Sequence, residues 1–360
     1  MRNALDEINL INWLVEHGGS VIRYLTAVEL IGDDPNVDLI TKRLLDCNLV
    51  KRWLERLTTD LGFNQLHGAD PSTYESAIGK LTQMGCRQGM QPFDDKTRVF
   101  REWFQQVAGI PLGFTYSWVP FLRVLVAAFL SRSGYWDDQT LKDFLTYRLD
   151  VLAPIARTRR YDLYRDSEGV PGIPKAFRGR PLIAPALTAG GEMRFPLIYD
   201  IHLLANVPQH LKVPSFHEKV DAVIGYILDP AYQSLPEGYG IIRADRRKYY
   251  AMGWSVHLPG YDGMTEDHPQ AGRFVQRMVL MSNFALARKS SWFQRGVEFL
   301  RGYQTERGRY CFPRRFLPES RSGYWVVGAY MGLEENRRTP KVLELESTYW
   351  MLKILRAAKD

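Results

Sequence analysis

Apolar residues recur at helical spacing along most of the chain, and this periodicity is the strongest constraint on its fold. Val21, Leu25 and Val28 form one such stripe, and Phe121–Leu130 and Leu141–Leu152 form a further pair. Apolar residues spaced three and four apart indicate helices with one buried face. No segment alternates between apolar and polar residues over the length of a convincing strand. The pattern predicts an all-α chain of helical hairpins, each of about 40 to 50 residues, a length typical of helical repeats.

The stretch from Arg295 to Tyr310 carries the most specific pattern. Its first ten residues predict an amphipathic helix, and Gly308 predicts a chain reversal. A glutamine at the helix end can bond exposed backbone groups of the next turn. The stretch resembles the repeat of squalene and other triterpene cyclases, in which a basic residue and Gly precede an aromatic-Leu pair, Gln and Gly-x-Trp. The matching residues are Arg295, Gly296, Phe299, Leu300, Gln304 and Gly308, and Tyr310 stands where that family has Trp.

This resemblance implies an α/α toroid, which is a ring of helical hairpins whose central cavity holds the substrate. A weaker copy of the repeat runs from Tyr226 to Gly238, with Gln233 in the equivalent place. The chain contains neither the Asp-x-Asp-Asp acid of squalene-type cyclases nor the Asp-x-Cys zinc pair of protein prenyltransferases. The resemblance therefore implies a single toroid domain over residues 1–360 and no known activity.

Residues 153–195 interrupt the helical pattern. They contain five prolines, several glycines and the basic run Arg157–Arg160. Long irregular segments in compact domains tend to be lids or linkers. We expect an irregular insertion that lies over one face of the helical body. It would separate the helical hairpins of residues 1–152 from toroid repeats with aromatic-rich loops in residues 196–360.

Charge separates the two parts of the chain. Residues 1–150 contain 16 Lys and Arg against 19 Asp and Glu, whereas residues 151–360 contain 31 against 21. The guanidinium of Arg binds carboxylates and phosphates through a fixed fork. The basic part therefore indicates an anionic ligand or a nucleic-acid surface, or else solvated loop arginines. Of the possible partners we expect a small molecule rather than nucleic acid.

The sequence shows no sign of export or of a membrane anchor. Asp6 and Glu7 stand where a signal peptide would be apolar, and apolar runs such as Val124–Leu130 are too short to span a membrane. The three cysteines lie far apart without a CxxC motif, which favours reduced thiols. We predict a cytoplasmic protein with no membrane span, no metal and no cofactor.

Three Asp-Asp pairs each precede an apolar-periodic segment: Asp33-Asp34, Asp94-Asp95 and Asp137-Asp138. The first pair is close to the metal-diphosphate box of class I terpene synthases but has one residue too many. Carboxylates at helix starts bind free N–H groups, and three copies at hairpin turns favour that role. We predict that Asp33, Asp94 and Asp137 cap helices and bind no metal.

A Gly- and Pro-rich loop groups Trp254, His257, Tyr261 and Asp262. His257 titrates near neutrality and could act as an acid or base, with Asp262 orienting it. The alternative is that His257 simply forms a hydrogen bond to a neighbouring loop.

A second candidate group lies near the end of the chain. Glu334, Glu335 and Glu344 could supply paired carboxylates for acid/base work on a sugar, as in the α/α-barrel glycosidases and lyases. The same residues could instead form an ion-paired turn followed by a capped helix. Arginines beside aromatic residues could bind a diphosphate or another acidic group. The candidate ligand-binding residues are Trp254, Tyr261, Tyr310, Arg314, Arg315, Arg337 and Arg338.

Two classes of function fit these features. The first is an enzyme, cyclase-like or glycan-processing, whose aromatic-lined ring cavity binds a small apolar or glycan-like ligand that can be anionic. The second is a non-catalytic helical-repeat protein that binds a protein or an anionic polymer on its basic part. Aromatic residues concentrate in loops after residue 230, which is typical of small-ligand pockets and favours the first class.

The toroid also predicts where the candidate residues lie. Alternate helices of such a ring run in parallel, so loops that follow equivalent helices emerge on one side. We therefore predict that Trp254–Asp262, Tyr310–Arg315 and Glu334–Glu346 meet at one mouth of the ring.

Overall fold

The chain forms two compact units. The computed structural model describes residues 2–32, 35–110, 118–165, 170, 172–245 and 248–359. Unit 1 combines Met1–Arg98 with Pro259–Asp360, and unit 2 is the continuous stretch Val99–Leu258. The assignment of both units to one toroid domain stays a prediction.

Helices make up most of the described residues, as the apolar periodicity predicts. They are α1 (Arg2–His17), α2 (Ser20–Leu25), α3 (Val37–Asp46), α4 (Asn48–Arg56), α5 (Phe63–Leu66), α6 (Tyr74–Gln83), α7 (Gln91–Val107), α8 (Val119–Ser133), α9 (Gln139–Thr158), α10 (Ile198–Ala205), α11 (Pro214–Ile227), α12 (Pro230–Gln233), α13 (Ala271–Met281), α14 (Ala285–Arg288), α15 (Ser291–Arg301) and α16 (Pro340–Lys359). Among the helices described, none combines the length and apolar character needed to cross a membrane.

Helices buried on nearly all sides alternate with helices that bury one face. In unit 2, all eight residues of α10 are buried, and α8 is buried along almost its whole length. α9 and α11 each bury a single stripe; α8 packs on α10, and α9 packs on α11. In unit 1, α6 is buried except at Thr82, whereas α4 and α15 bury one face. Each unit therefore combines helices that are buried on nearly all sides with amphipathic helices that bury one face.

A small sheet in unit 2 contradicts the expectation of an all-helical chain. Its strands are β1 (Tyr164–Arg165), β2 (Leu182–Ile183), β3 (Gly240–Asp245) and β4 (Lys248–Met252), in the order β1-β2-β3-β4. β2 and β3 are parallel, and the other two pairs are antiparallel. Leu182, Ile241 and Tyr249 form its buried centre.

The expected irregular insertion at 153–195 is therefore only partly irregular. Its first residues complete α9, which continues through Pro154 to Thr158. Its middle supplies β1 and β2 to the sheet. Backbone pairing with a segment some sixty residues later gives order to a stretch whose composition suggested a loop.

The hairpin predicted from Arg295 to Tyr310 has the expected local form. α15 ends at Arg301, and Gly308 has a φ of +77°, in the left-handed region that glycine adopts freely. Gln304 Nε2 donates to the Gly308 carbonyl at 2.9 Å, and Gln304 pairs with Tyr310 as an isolated bridge. The glutamine therefore ties the turn to the helix end, which is the role inferred from the sequence.

The capping prediction is wrong for Asp94 and Asp137, the two named residues that the structure describes, although each lies close to a helix start. Asp138, not Asp137, precedes α9 with an extended backbone, and its Oδ1 accepts from Thr140 N at 2.8 Å. Asp94 lies inside the first turn of α7 and accepts from Gly89 N at 3.0 Å, so it supports that helix start without being its cap. The pair Asp33-Asp34 lies outside the described residues.

Each unit buries one arginine–carboxylate fork. In unit 2, Arg148 donates from Nε and Nη2 to the two oxygens of Asp200, at 2.9 and 3.0 Å. In unit 1, Arg337 donates in the same forked manner to Glu346, whose side chain is fully buried. Such pairs are strong only when the remaining polar atoms are satisfied. Here Asp200 also accepts from Leu197 N.

Candidate functional site

The strongest candidate site is a cavity of about 640 Å³ in unit 1, which we call the arginine cavity. This volume lies within the range of small-ligand pockets. It brings together α4, α6 and the loops around residues 314–321 and 332–338. The lining residues are Leu49, Arg52, Trp53, Arg56, Lys80, Arg314, Glu319, Ser320, Arg321, Gly332, Glu334, Glu335, Asn336, Arg337 and Arg338.

Positive charge is in excess around this cavity. Seven lining residues are basic and three are acidic. Within the part of the chain that the structure describes, five of the basic side chains form no ion pair with a carboxylate, although the charge of Arg56 acts on Asp70. These are Arg52, Arg56, Arg314, Arg321 and Arg338. Because guanidinium groups favour carboxylate and phosphate oxygens, the cavity is suited to an anion with several charges.

Lys80 is a buried lysine that helps to shape the cavity. Its ammonium donates to Glu319 Oε2 at 2.9 Å, to the Tyr330 carbonyl at 3.1 Å and to the Gly332 carbonyl. Burial lowers the pKa of Lys80, and the negative charge of Glu319 opposes that shift. All three N–H groups of the ammonium are therefore used, which makes Lys80 an anchor for the 330–332 loop.

The fork between Arg337 and Glu346 fixes the other side of the cavity. Glu346 Oε1 also accepts from Leu333 N at 2.7 Å and from Glu334 N at 3.1 Å. Arg337 Nη2 donates further to the Leu317 carbonyl at 2.7 Å. Glu346 thereby holds the backbone from which Glu334 and Glu335 project.

Glu334 is the carboxyl group most suited to acid/base chemistry. Burial raises the pKa of Glu334 to about 7, and the charges of Glu346 and Glu335 act in the same direction. The Gly19 N–H, which donates to Glu334 Oε1 at 2.7 Å, opposes the shift. A Cβ at position 19 would lie 2.4 Å from Glu334 Oε2, so a larger residue there would displace this carboxylate. A carboxyl with a pKa near 7 can both donate and accept a proton at neutral pH.

Glu335 lies exposed beside it and has a structural contact of its own. Its Oε1 accepts from Leu49 N at 3.0 Å, at the start of α4, where no side chain of the helix itself forms a cap. Gly19 likewise precedes α2 without a side-chain cap. Glu334 and Glu335 thus supply the missing caps of two different helices. The alternative interpretation of this glutamate pair, as a structural turn, is correct in part.

Several candidate residues of unit 1 lie outside the arginine cavity. Glu344 forms an ion pair with Arg309 at 3.4 Å beside another cavity, and Arg315 is bound by Glu266 and Asp267. Tyr310 is 5% exposed and is held by hydrogen bonds with Thr348. Asp262 is exposed, and the carbonyl of Tyr261 accepts from Arg295 at 2.6 Å.

The loop with Trp254 and His257 belongs to unit 2. His257 Nε2 lies 2.9 Å from the Leu235 carbonyl, and Nδ1 lies 2.8 Å from Ser255 Oγ. Trp254 has a φ of +71°, a strained value for a bulky residue, and its carbonyl accepts from Ile198 N. The alternative in which His257 bonds a neighbouring loop matches these contacts. A shared site with the residues of unit 1 stays a prediction.

The aromatic residues expected to line a pocket are mostly packed in the cores. Between 0 and 6% of the surface is exposed for Tyr239, Tyr249, Tyr310, Phe312, Phe316 and Trp325. Trp53, at the wall of the arginine cavity, is also only 2% exposed, and Arg56 lies over its ring at 5.0 Å. Aromatic content after residue 230 therefore reflects packing more than ligand binding.

Sequence analysis missed the contribution of the N-terminal hairpins to the cavity. Arg52, Arg56 and Lys80 lie more than 230 residues before Arg314 in the sequence. One signal was present, because Lys80 stands alone among apolar residues in the helix Ala77–Leu81, where a lysine needs a buried partner.

No protein-family model, curated protein or solved structure matches this chain. Within the described residues, no three His, Cys, Asp or Glu side chains come together as a metal site requires. Function must therefore be inferred from the cavity itself.

Proposed function

We propose that unit 1 binds a small, glycan-like polyanion in the arginine cavity and that Glu334 acts on it as a general acid or base. The observation that carries the proposal is the set of five arginines around one cavity of about 640 Å³ that form no ion pair with a carboxylate of the described residues. Uncompensated arginines repel one another, and an anion with several charges removes that repulsion. Carboxylated and phosphorylated sugars are the substrate class with such charges and with this size.

Glu334 would supply the proton transfer. Arginines on the cavity wall would orient the anionic groups, and the protonated carboxyl would donate to a leaving oxygen. Glu335, at the exposed rim, would take a proton from a water molecule that attacks the sugar carbon while Glu334 protonates the leaving oxygen, which completes a hydrolysis.

The toroid and the resemblance to triterpene cyclases are part of this proposal. Two features within the units support them: the alternation of wholly buried and half-buried helices, and the glutamine-tied turn at Gly308. The four-stranded sheet argues against a purely helical ring. The charged lining also argues against an apolar, terpenoid substrate for the arginine cavity.

Calorimetric titration tests the proposal with three probes: a uronic-acid disaccharide, a sugar bisphosphate and a neutral disaccharide. We expect both anions to bind and the neutral sugar not to bind. Replacing two wall arginines, Arg314→Gln with Arg338→Gln, should weaken anion binding at least tenfold, since each lost charged hydrogen bond is worth roughly 1.5–3 kcal/mol. Arg43→Gln, an exposed change of the same charge outside the cavity, should have no effect.

Glu334→Gln separates binding from catalysis. It preserves an acceptor for the Gly19 N–H, so anion affinity should persist while turnover of the bound sugar is lost. Equal binding of the neutral sugar, or full affinity in the double arginine variant, would refute the proposal. Binding of long polyanions only, with a steep salt dependence and no turnover, would favour the non-catalytic polymer-binding function.

A further inference from the structure

A second cavity of about 490 Å³ lies in unit 1 and has no residue in common with the arginine cavity; we call it the Trp13 cavity. It lies between the end of α1, the turn after α15 and the start of α16. The lining residues are Trp13, His17, Thr305, Arg307, Arg309, Cys311, Pro340, Lys341 and Glu344.

The side chains on one wall of this cavity are held by contacts with one another. The guanidinium of Arg309 lies 4.1 Å from the centre of the Trp13 ring. The His17 ring stacks on the Trp13 ring, with 5.8 Å between the two ring centres. Arg309 also forms the ion pair with Glu344. Three side chains are therefore held in place before any ligand arrives, which reduces the entropy lost on binding.

Two polar atoms of the lining residues are buried without a hydrogen-bond partner. They are Thr305 Oγ1 and His17 Nδ1. The nearest carboxylate oxygen to His17 Nδ1, Glu16 Oε2, is 3.6 Å away, which is too long for a hydrogen bond. Buried polar groups are almost always satisfied by protein, water or ligand. Two such atoms at one cavity are therefore open to hydrogen bonds from water or from a bound group.

The charges of the lining residues show what kind of group this is. Arg307 and Lys341 are exposed at the cavity and have no carboxylate partner among the described residues. Glu344 is already paired with Arg309, and burial raises the pKa of the Cys311 thiol, which keeps that thiol neutral. Two cations and two hydrogen-bonding groups thus line a space whose one lining carboxylate, Glu344, is already paired.

We propose that the Trp13 cavity is a second ligand site, which binds the compact oxyanion, phosphoryl or carboxylate, of a small molecule. Lys341 and Arg307 neutralise the anion, the Thr305 hydroxyl donates to one oxygen and His17 binds another. The site is independent of the ligand proposed for the arginine cavity.

The test uses inorganic phosphate and acetate with the full chain that carries Arg314→Gln and Arg338→Gln, so that binding in the arginine cavity is suppressed. Binding is followed by NMR through the ring C–H signal of His17, which is assigned by its loss in His17→Gln. We expect phosphate to shift this signal saturably. A larger affinity for phosphate than for acetate assigns the site to phosphoryl groups, and the reverse assigns it to carboxylates.

Two variants locate the ion. Lys341→Gln and Thr305→Val should each weaken binding at least fivefold, whereas Lys289→Gln, an exposed lysine away from the cavity, should leave it unchanged. Thr305→Val should not lower the melting temperature, because the hydroxyl that it removes has no protein partner. A His17 signal that ignores both anions, or one that shifts equally in Lys341→Gln, would overturn the proposal. Neither result bears on sugar binding in the arginine cavity.

Discussion

Two segments of the chain are rich in polar residues, Trp254–His257 in unit 2 and Glu334–Glu346 in unit 1, but the surroundings of their side chains differ. In the first, Ser255, His257 and the backbone of Val256 and Leu258 bond to residues 232–238. In the second, the carboxylates find backbone N–H groups and one arginine, and the arginines nearby outnumber the carboxylates.

This difference separates a polar structural loop from a binding site. Where every donor meets an acceptor of the protein, the segment holds the fold together and has nothing left for a ligand. Where several charges of one sign lie close together without partners, their mutual repulsion destabilises the protein, and a ligand of opposite charge removes that repulsion. The number of polar residues in a segment does not distinguish the two cases. The structure distinguishes them, because it shows whether each polar or charged group has a partner within the protein.

The largest expected effect is on the buried fork of the second segment. Glu346→Gln removes the charge that balances Arg337 and leaves a largely buried guanidinium without an anion. We expect the free energy of unfolding to fall by about 3–5 kcal/mol in urea titrations. Glu344→Gln, two residues away in a partly exposed ion pair, should cost less than about 1 kcal/mol. Equal losses in the two variants would show that the fork is not the element that holds the cavity.

A smaller effect, which depends on pH, is expected at Glu334. Its folded-state pKa of about 7 is above the ordinary value of 4.5, so the protonated form is the one that the fold favours. The stability that this group contributes is complete below about pH 4.5 and is lost as the pH rises through 7.

Glu334→Gln should therefore match the wild type in stability near pH 4.5 and exceed it by roughly 2–3 kcal/mol at pH 8. Urea unfolding at both pH values measures the difference. A variant less stable than the wild type at pH 8 would mean that the carboxylate is favourable in the fold, against the sign of the shift.

The smallest effect is expected in the first segment. Ser255→Ala removes the acceptor of the Gly238 N–H and the partner of His257 Nδ1, and we expect a loss of about 1–2 kcal/mol in unfolding free energy. Ser234→Ala, whose exposed hydroxyl bonds only the Pro230 carbonyl, should cost less than about 0.5 kcal/mol. If Ser255→Ala unfolds no more easily than Ser234→Ala, the hydrogen bonds of this loop do not stabilise the fold. The loop would then again be a candidate ligand-binding site.

Local features of the fold could be predicted from the sequence, and features that depend on distant pairing could not. The stripe in α9 and the turn at Gly308 depend on neighbours within a few residues. β2 pairs with β3, whose residues follow about sixty positions later, and nothing in either strand indicates its partner. The mostly helical class is thus confirmed, and the all-helical prediction is wrong.

The site shows the same limit. The sequence singled out Glu334, Glu335, Arg337 and Arg338 as charges in one segment and Arg314 as an arginine between aromatic residues, and all five line the arginine cavity. The sequence could not indicate that the N-terminal hairpins complete the cavity. That depends on the packing of α4 and α6 within unit 1, which brings distant parts of the chain together.

Unit 1 is made of two separate stretches of the chain, which affects how the protein folds during its synthesis on the ribosome. α1 packs on α16, so the earliest helix of the unit needs a partner that is made after all 160 residues of unit 2. At roughly 5–20 residues per second, synthesis of unit 2 alone takes on the order of ten seconds. During this time the face of α1 that packs on α16 has no partner, while unit 2 has its whole sequence available. We therefore expect unit 2 to complete its fold before unit 1, although unit 1 begins first along the chain.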